Sequence, residues 1–456
     1  MPPLLALALC LAAVVFLLRV ERKQCPQVTR ALWVPTVWML IVASRPIGLW
    51  FNARNRDPDV SGPLDLGVLI VLFLFTLAVL ARRRAEWAGV LKESPWLLAL
   101  IVFMLVSIIW SEIPDVSLKR WIKELLAVLM ALAVFSEPHA RQAMESLFRR
   151  ITYILIPFSL ILIKYFPVYG VDYGPWSGEQ EWIGVAQQKN SLASLCIISA
   201  IFLVWSLIKR WRDKGPSVWK YQFHAEALLL LLAFYLLGGP DHSVFYSATS
   251  TYAFLGGALV CGWVLLLEKL GKRIKAGTLT AVIVFLILLG VATVFISGSG
   301  IRFFAASAGR DATLTGRTQV WTSLLPVVMR SPVVGKGFGG FWTSRTREVF
   351  QISGAHSGYL DVVLGIGIVG LLLVAMFLVS SGRRARDELS RDVGWGVLWI
   401  GYLIVAAVHN IGESSIDTFT AQLTAILLIF TVCSSAKVRE VKKPDGAPDG
   451  AEPAGR

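Results

Sequence analysis

Thirteen apolar stretches, each near the length of a bilayer crossing, recur along this chain between residues 3 and 434. No other feature constrains the fold as strongly. A helix needs about 20 mostly apolar residues to cross a hydrocarbon core of roughly 30 Å, and in lipid every backbone group must be satisfied within the protein. The stretches cover approximately residues 3–18, 31–50, 65–80, 95–110, 119–135, 150–166, 188–208, 225–238, 248–267, 276–296, 356–380, 394–410 and 417–434. The expected fold is an all-α polytopic integral membrane protein of about 12–13 transmembrane helices. Composition agrees: 55% of residues are hydrophobic and 16% charged, against about 45–50% and about 25% in soluble proteins. A soluble enzyme, a disordered chain, a disulfide-stapled domain and an ordinary nucleic-acid binder are excluded.

Lysine and arginine predict the orientation. Alternate loops (19–30, 81–94, 136–150, 209–224, 268–276, 381–392 and 437–443) hold 28 of them, whereas the short loops of opposite parity hold only Arg45, Arg54 and Arg56. Cytoplasmic loops are the basic ones, so the carboxy-terminus is expected inside and the amino-terminus outside. The first span has Arg19, Arg22 and Lys23 after it rather than before it, the reverse of a cleaved signal peptide. The chain divides into an amino-terminal bundle (1–296), a long outward loop (297–355), carboxy-terminal spans (356–436) and a Pro- and Gly-rich tail (437–456) that is expected to be disordered. The five cysteines avoid the outer loops and form no Cys/His cluster, so neither a disulfide nor a metal site is expected.

The 297–355 loop is unusual in being basic on the outward side, with a net charge of +5. Arginine holds phosphate oxygens with a planar fork, which points to an external site for a polyanion. GRDATLTGRTQVW (309–321) is its most informative part. Thr315 reads as an N-cap, followed by Trp321, Leu324, Leu325 and Val328 at helical spacing. Arg317 then sits in the first turn, where free N–H groups and the dipole also attract anions. Gly309 and Gly316 flank the pair Arg310 and Arg317, and the short helix is expected to rest on the membrane surface. GKGFGGFW (335–342) lacks the strand that a nucleotide loop requires and reads as a flexible loop over a site.

AHSGYLD (355–361) leads into the next span, placing His356 at its outer edge with Tyr359 and Asp361 beyond. A histidine there can take a proton from a hydroxyl near neutral pH. Other ionisable groups cluster at outer helix ends: Lys119, Arg120, Lys123, Lys164, and Lys189 with Asn190. Any one of them can simply snorkel to the headgroups, but together they outline a positive vestibule. His409 reads as structural. Asp57 and Asp59 flank Pro58 and could bind a divalent ion, although Asp-Pro pairs are also common in turns.

Taken in order, QQKN (187–190) opening a mid-chain span, GRDATLTGRTQVW, GKGFGGFW and AHSGYLD resemble the bacterial O-antigen ligase and O-antigen or exopolysaccharide polymerase family. SRPIGLWF (44–51) and WSEIPDVSLKR (110–120) resemble its polymerase-like branch. The resemblance spans roughly residues 40–430 and is most specific between 309 and 370. It implies a GT-C-like glycosyltransferase of the bacterial inner membrane. Such an enzyme moves a glycan from undecaprenyl pyrophosphate to an acceptor hydroxyl at the periplasmic face, without nucleotide sugar, metal or cofactor. The acceptor is lipid A-core in ligases and another lipid-linked repeat unit in polymerases. Arg317 matches the family's loop arginine and His356 its loop-end histidine. A second arginine is expected near the start of a later span, where YSATSTY (246–252) has Ala248; Arg310 or Lys189 could substitute. Arg317 and Arg310 would hold the pyrophosphate, supported by Lys189, Asn190 and Arg120. His356 would be the general base, oriented by Asp361. The alternative is a transporter or flippase of lipid-linked saccharides, which predicts internal repeats and midplane charges. Neither is present in the sequence.

Overall fold

The computed structural model describes residues 1–51, 62–83, 87–174, 178–213, 218–242, 246–295, 317–352 and 354–434. In order these form α1 (Pro3–Gln24), α2 (Trp33–Val42), α3 (Ile47–Phe51), α4 (Pro63–Arg83), α5 (Trp87–Glu93) and α6 (Pro95–Val106). Next come α7 (Pro114–Phe135), α8 (Ala140–Tyr165), α9 (Pro167–Gly170), a hairpin of β1 (Val171–Tyr173) and β2 (Gln180–Trp182), α10 (Lys189–Asp213) and α11 (Val218–Gly238). The chain continues through α12 (Ala248–Lys269), α13 (Ala276–Phe295), α14 (Arg317–Arg330), α15 (Ser344–Phe350), α16 (Gly358–Leu389), α17 (Val393–Gly412) and α18 (Gln422–Cys433). The protein is a multi-pass, all-α membrane protein.

Among the described residues, nine helices are long and apolar enough to cross a membrane: α1, α4, α8, α10, α11, α12, α13, α16 and α17. Three further apolar helical segments are shorter: Arg30–Val42, Pro95–Trp110 and Gln422–Cys433. The thirteen expected spans are therefore not all equivalent. Residues 31–50 are split at Ala43–Pro46, where the chain leaves α2 and restarts as α3. α7 has 22 residues, but Asp115, Lys119, Arg120, Lys123 and Glu124 break the apolar character of its first half.

α17 is the hub, packing against α10, α12, α13, α16 and α18. Its apolar window is 83% buried, against 22% for α1 and α4. The peripheral helices turn Leu4, Leu74, Phe75 and Leu259 outward, an apolar surface suited to lipid. At the basic end of the bundle, several residues that read as loop cations are in helices and buried. Arg150 pairs with Glu21 at 3.2 Å, Arg149 with Glu145 at 3.1 Å, and Arg210 with Glu226 at 2.9 Å. α8 and α10 extend past their apolar runs, and buried cations there require carboxylate partners.

α16 is two helices joined across a kink. Ile366 and Gly367 leave helical geometry, with Gly367 at φ +68° and ψ −169°. The preceding loop fills the gap: Ile368 N–H donates to Pro332 O at 2.9 Å and Val369 N–H to Val333 O at 3.1 Å. A Cβ at position 367 would lie 2.2 Å from Val333 O, so the break accepts only glycine.

Candidate active site

Three of the sequence-predicted residues, Arg317, Asn190 and His356, meet on a carboxylate that the sequence did not single out. Glu413 follows the last turn of α17, and three separate segments converge on it. Arg317, the first residue of α14, donates through Nη2 to Glu413 Oε1, and its Nη1 reaches Thr249 Oγ1 of α12 at 3.3 Å. Asn190 of α10 donates to the same Oε1 at 2.6 Å. His356 Nδ1 lies 3.7 Å from Glu413 Oε2, just beyond hydrogen-bonding distance. The Glu413 carbonyl accepts from Gly358 N–H at 3.0 Å, tying the start of α16 to the end of α17. Burial raises the Glu413 carboxyl, but contact with His356 and the Arg317 guanidinium outweigh it and hold the group below the ordinary carboxylate range. His356 has φ +49°, an uncommon backbone for a non-glycine residue, and such residues cluster at functional sites.

Local folding explains each position. Arg45 is buried in the bend between α2 and α3 and donates to the carbonyls of Gly184 at 2.7 Å and Ala186 at 3.0 Å. It thereby fixes the chain that delivers Asn190 to α10. α14 forms on the predicted spacing, with Trp321, Leu324 and Val328 buried. Its apolar face packs on Val294, Phe341, Leu360 and Leu364, and Trp321 Nε1 donates to Ala355 O at 2.8 Å. The expected membrane-surface helix is thus seated on protein, which aims Arg317 inward.

Asp361 does not contact His356 directly. It accepts from Trp342 Nε1 at 2.7 Å, Ala355 N–H at 3.3 Å and the Ser414 hydroxyl. It therefore braces the residue before His356 rather than the imidazole. Arg120 donates to the carbonyls of Gly339 and, at 3.1 Å, Trp342. Lys189 pairs with Glu181 of β2 and lies 5.8 Å from the Tyr246 ring. Arg310, Thr315, Gly309, Gly316, Asp57 and Asp59 lie outside the described residues. Among the described residues no group of three His, Cys, Asp or Glu side chains is arranged to hold a metal ion.

The GKGFGGFW loop is clamped, contrary to the expected flexible cover. Lys336 N–H donates to Leu364 O and Phe338 N–H to Ser107 Oγ, both at 2.9 Å. Gly337 has φ +87°, and a Cβ there would lie 2.8 Å from Ser107 O. The glycines permit close seating against the end of α6.

One cavity is lined by the cluster, and two further spaces share lining residues with it or with each other. A cavity of about 330 Å³ is bounded by His356, Glu413 and Asn190. A second, of about 440 Å³, is bounded by Arg120, Lys123, Phe341, Trp342, Asp361 and Asp417. Arg347 of α15 lines both. A groove of about 270 Å³, with Trp38, Ile41, Val68 and Leu69 in its walls, shares Gln187 with the first cavity and Lys123 with the second. A polyanionic headgroup, a sugar and a lipid chain could be accommodated side by side.

Glu413 was missed because the loop IGESSIDT carries no recognisable pattern; the available signal was a carboxylate in a short loop expected on the same side as the arginine-rich 297–355 loop.

Residues 243–375 match the O-antigen ligase family. This segment includes Arg317, the glycine loop, His356 and Asp361, while Asn190 and Glu413 lie outside it. The chain is also similar to the exopolysaccharide production protein ExoQ of Rhizobium meliloti (strain 1021), 30% identical over 303 residues. That alignment spans 63% of this chain and 64% of the relative's length. The two matches support the O-antigen ligase and polysaccharide polymerase family that the motifs resemble.

Proposed function

We propose that the protein is a glycosyltransferase that moves a glycan from undecaprenyl pyrophosphate to an acceptor hydroxyl at the outer face of the membrane. The observation that carries this reading is the convergence of Arg317, Asn190 and His356 on Glu413, the last three of which line a cavity that shares Arg347 with a second cavity and Gln187 with a groove. The acceptor oxygen attacks the anomeric carbon, and the bond from that carbon to the pyrophosphate oxygen breaks with its electron pair. The leaving charge is neutralised by Arg317, which exchanges Glu413 for phosphate oxygens, with Arg310 and Lys189 in support. His356 takes the hydroxyl proton. Asp361 holds the backbone at Ala355, and Arg120 holds the glycine loop. Positioning and electrostatic stabilisation supply the acceleration. The similarity to ExoQ, an exopolysaccharide production protein, supports a polymerase, with a lipid-linked repeat unit as acceptor; a ligase would use lipid A-core.

The test is release of undecaprenyl pyrophosphate in liposomes loaded with an undecaprenyl-pyrophosphate oligosaccharide, in the presence of EDTA. Wild type is expected to release it and build a glycan ladder. Arg317→Ala and His356→Ala are each expected to fall at least 100-fold at unchanged protein level. Undiminished transfer by Arg317→Ala overturns the assignment. A single transfer that needs added lipid A-core makes the enzyme a ligase, and absence of release with every acceptor favours the transporter.

A further inference from the structure

His356 and Glu413 line the 330 Å³ cavity with the cation Arg347, and most of its other polar lining is uncharged. Gln187, Gln188, Asn190, Ser191, Ser194 and Ser415 supply uncharged amides and hydroxyls. A pyrophosphate is recognised by cations and N–H donors. Neutral amides and hydroxyls suit a ligand whose groups both donate and accept, as sugar hydroxyls do.

Two buried side chains on this cavity make the point specific. His409, in the last turn of α17, is 4% exposed, and neither ring nitrogen has a hydrogen-bond partner among the described residues. Gln422, the first residue of α18, is 8% exposed. Its Nε2 donates to Ser191 O at 3.3 Å and Ala43 O at 3.4 Å, while its Oε1 has no partner among the described residues. Buried polar atoms left unmatched are costly to a fold and are unusual in native proteins. A neutral imidazole presents one donor and one acceptor, and an amide oxygen only accepts. The unpartnered groups are therefore two acceptors and one donor. An ionised phosphate, which only accepts, meets the donor alone and sets its charge against both acceptors. Two sugar hydroxyls meet all three.

Building on the transferase reading, we infer that the His409–Gln422 wall is a saccharide subsite, holding hydroxyls of a sugar ring beside the Arg317–Glu413–His356 cluster. The ring belongs either to the lipid-linked donor or to the acceptor glycan. In both cases the contact selects for sugar rather than for pyrophosphate.

The experiment measures binding of three probes to the full-length protein in nanodiscs: bare undecaprenyl pyrophosphate, undecaprenyl-pyrophosphate oligosaccharide, and the free oligosaccharide. The proteins are wild type, Gln422→Met and His409→Leu. Wild type is expected to bind a glycan-bearing donor at least tenfold more tightly than the bare lipid, or to bind the free oligosaccharide measurably. Each variant is expected to lose that margin while binding the bare lipid as wild type does, which also reports that it is folded. Loss on the glycosylated lipid assigns the ring to the donor; loss on the free oligosaccharide assigns it to the acceptor. Retention of both glycan affinities in the variants overturns the subsite, as does equal loss of bare-lipid and glycan binding. Hydrogen exchange on wild type alone gives an independent check: glycan-bearing probes should slow exchange across residues 409–422 beyond the effect of bare lipid, and equal protection overturns the subsite. A wild type that discriminates glycan but never releases undecaprenyl pyrophosphate rejects the transferase and leaves the saccharide subsite standing.

Discussion

Arg317 illustrates how far single residues could be read. Its type, its place at a helix start and its basic surroundings were all legible, because anion binding has a local signature. The same holds for His356 and Asn190. Glu413 and Gln422 have no such signature, since their importance comes from which distant segments reach them. Asp417 is another such group and carries a pH prediction. Its carboxyl is pushed up to about 8, first by burial and then by the negative charge of Asp361, against the pull of Arg120. The folded state thus holds a proton there that the unfolded chain releases near the ordinary value of 3.8. The resulting stabilisation is fully present below 3.8 and is lost as pH rises toward about 8. In detergent, Asp417→Asn should melt above wild type by a margin that widens from pH 5 to pH 8 and then levels; a margin independent of pH would refute the account.

At the scale of elements, apolar runs announced the helices well, since length and hydropathy alone decide what can cross lipid. The interruptions were hidden. The divided α2–α3 stretch and the break in α16 depend on long-range backbone partners: Gly184 and Ala186 for Arg45, and Pro332 and Val333 for the helix after Gly367. The glycine loop makes the difference testable. Gly337→Ala forces a side chain into φ +87° and places a Cβ 2.8 Å from Ser107 O. It should destabilise the protein by about 1–3 kcal/mol and depress transfer. Gly262→Ala, with nothing within 4 Å of the new Cβ on α12, should melt at or above wild type. Equal melting of the two variants would mean that the loop is not clamped.

For the whole molecule, the charge asymmetry gave an orientation although several of the contributing cations are buried in ion pairs. Topology depends on where cations lie along the chain during insertion, not on their final exposure. The native cysteines are buried or half-buried, leaving a quiet background for labelling. Glu179→Cys, on the exposed hairpin, should react with an impermeant maleimide on intact spheroplasts, whereas Ser390→Cys should react only after permeabilisation. The reverse pattern would invert the protein and move the proposed site to the cytoplasm. Which helices surround α17 was not legible, because packing partners leave no periodicity in the sequence.

The ion pair between Arg317 and Glu413 has a kinetic consequence. An arginine fork that grips a leaving pyrophosphate through charge also grips it after the bond has broken, and departure of the spent lipid can then limit turnover. Here the guanidinium always has a second partner within reach, held in place by Asn190 and the start of α16. On the proposed transfer, the carboxylate returns to the arginine as the product lifts away, so that the charge is not left bare and a two-way exchange replaces an uphill desorption. The same competition would weaken ground-state capture of any short anion that cannot outbid Glu413, and would favour ligands that also fill the groove and the proposed saccharide subsite.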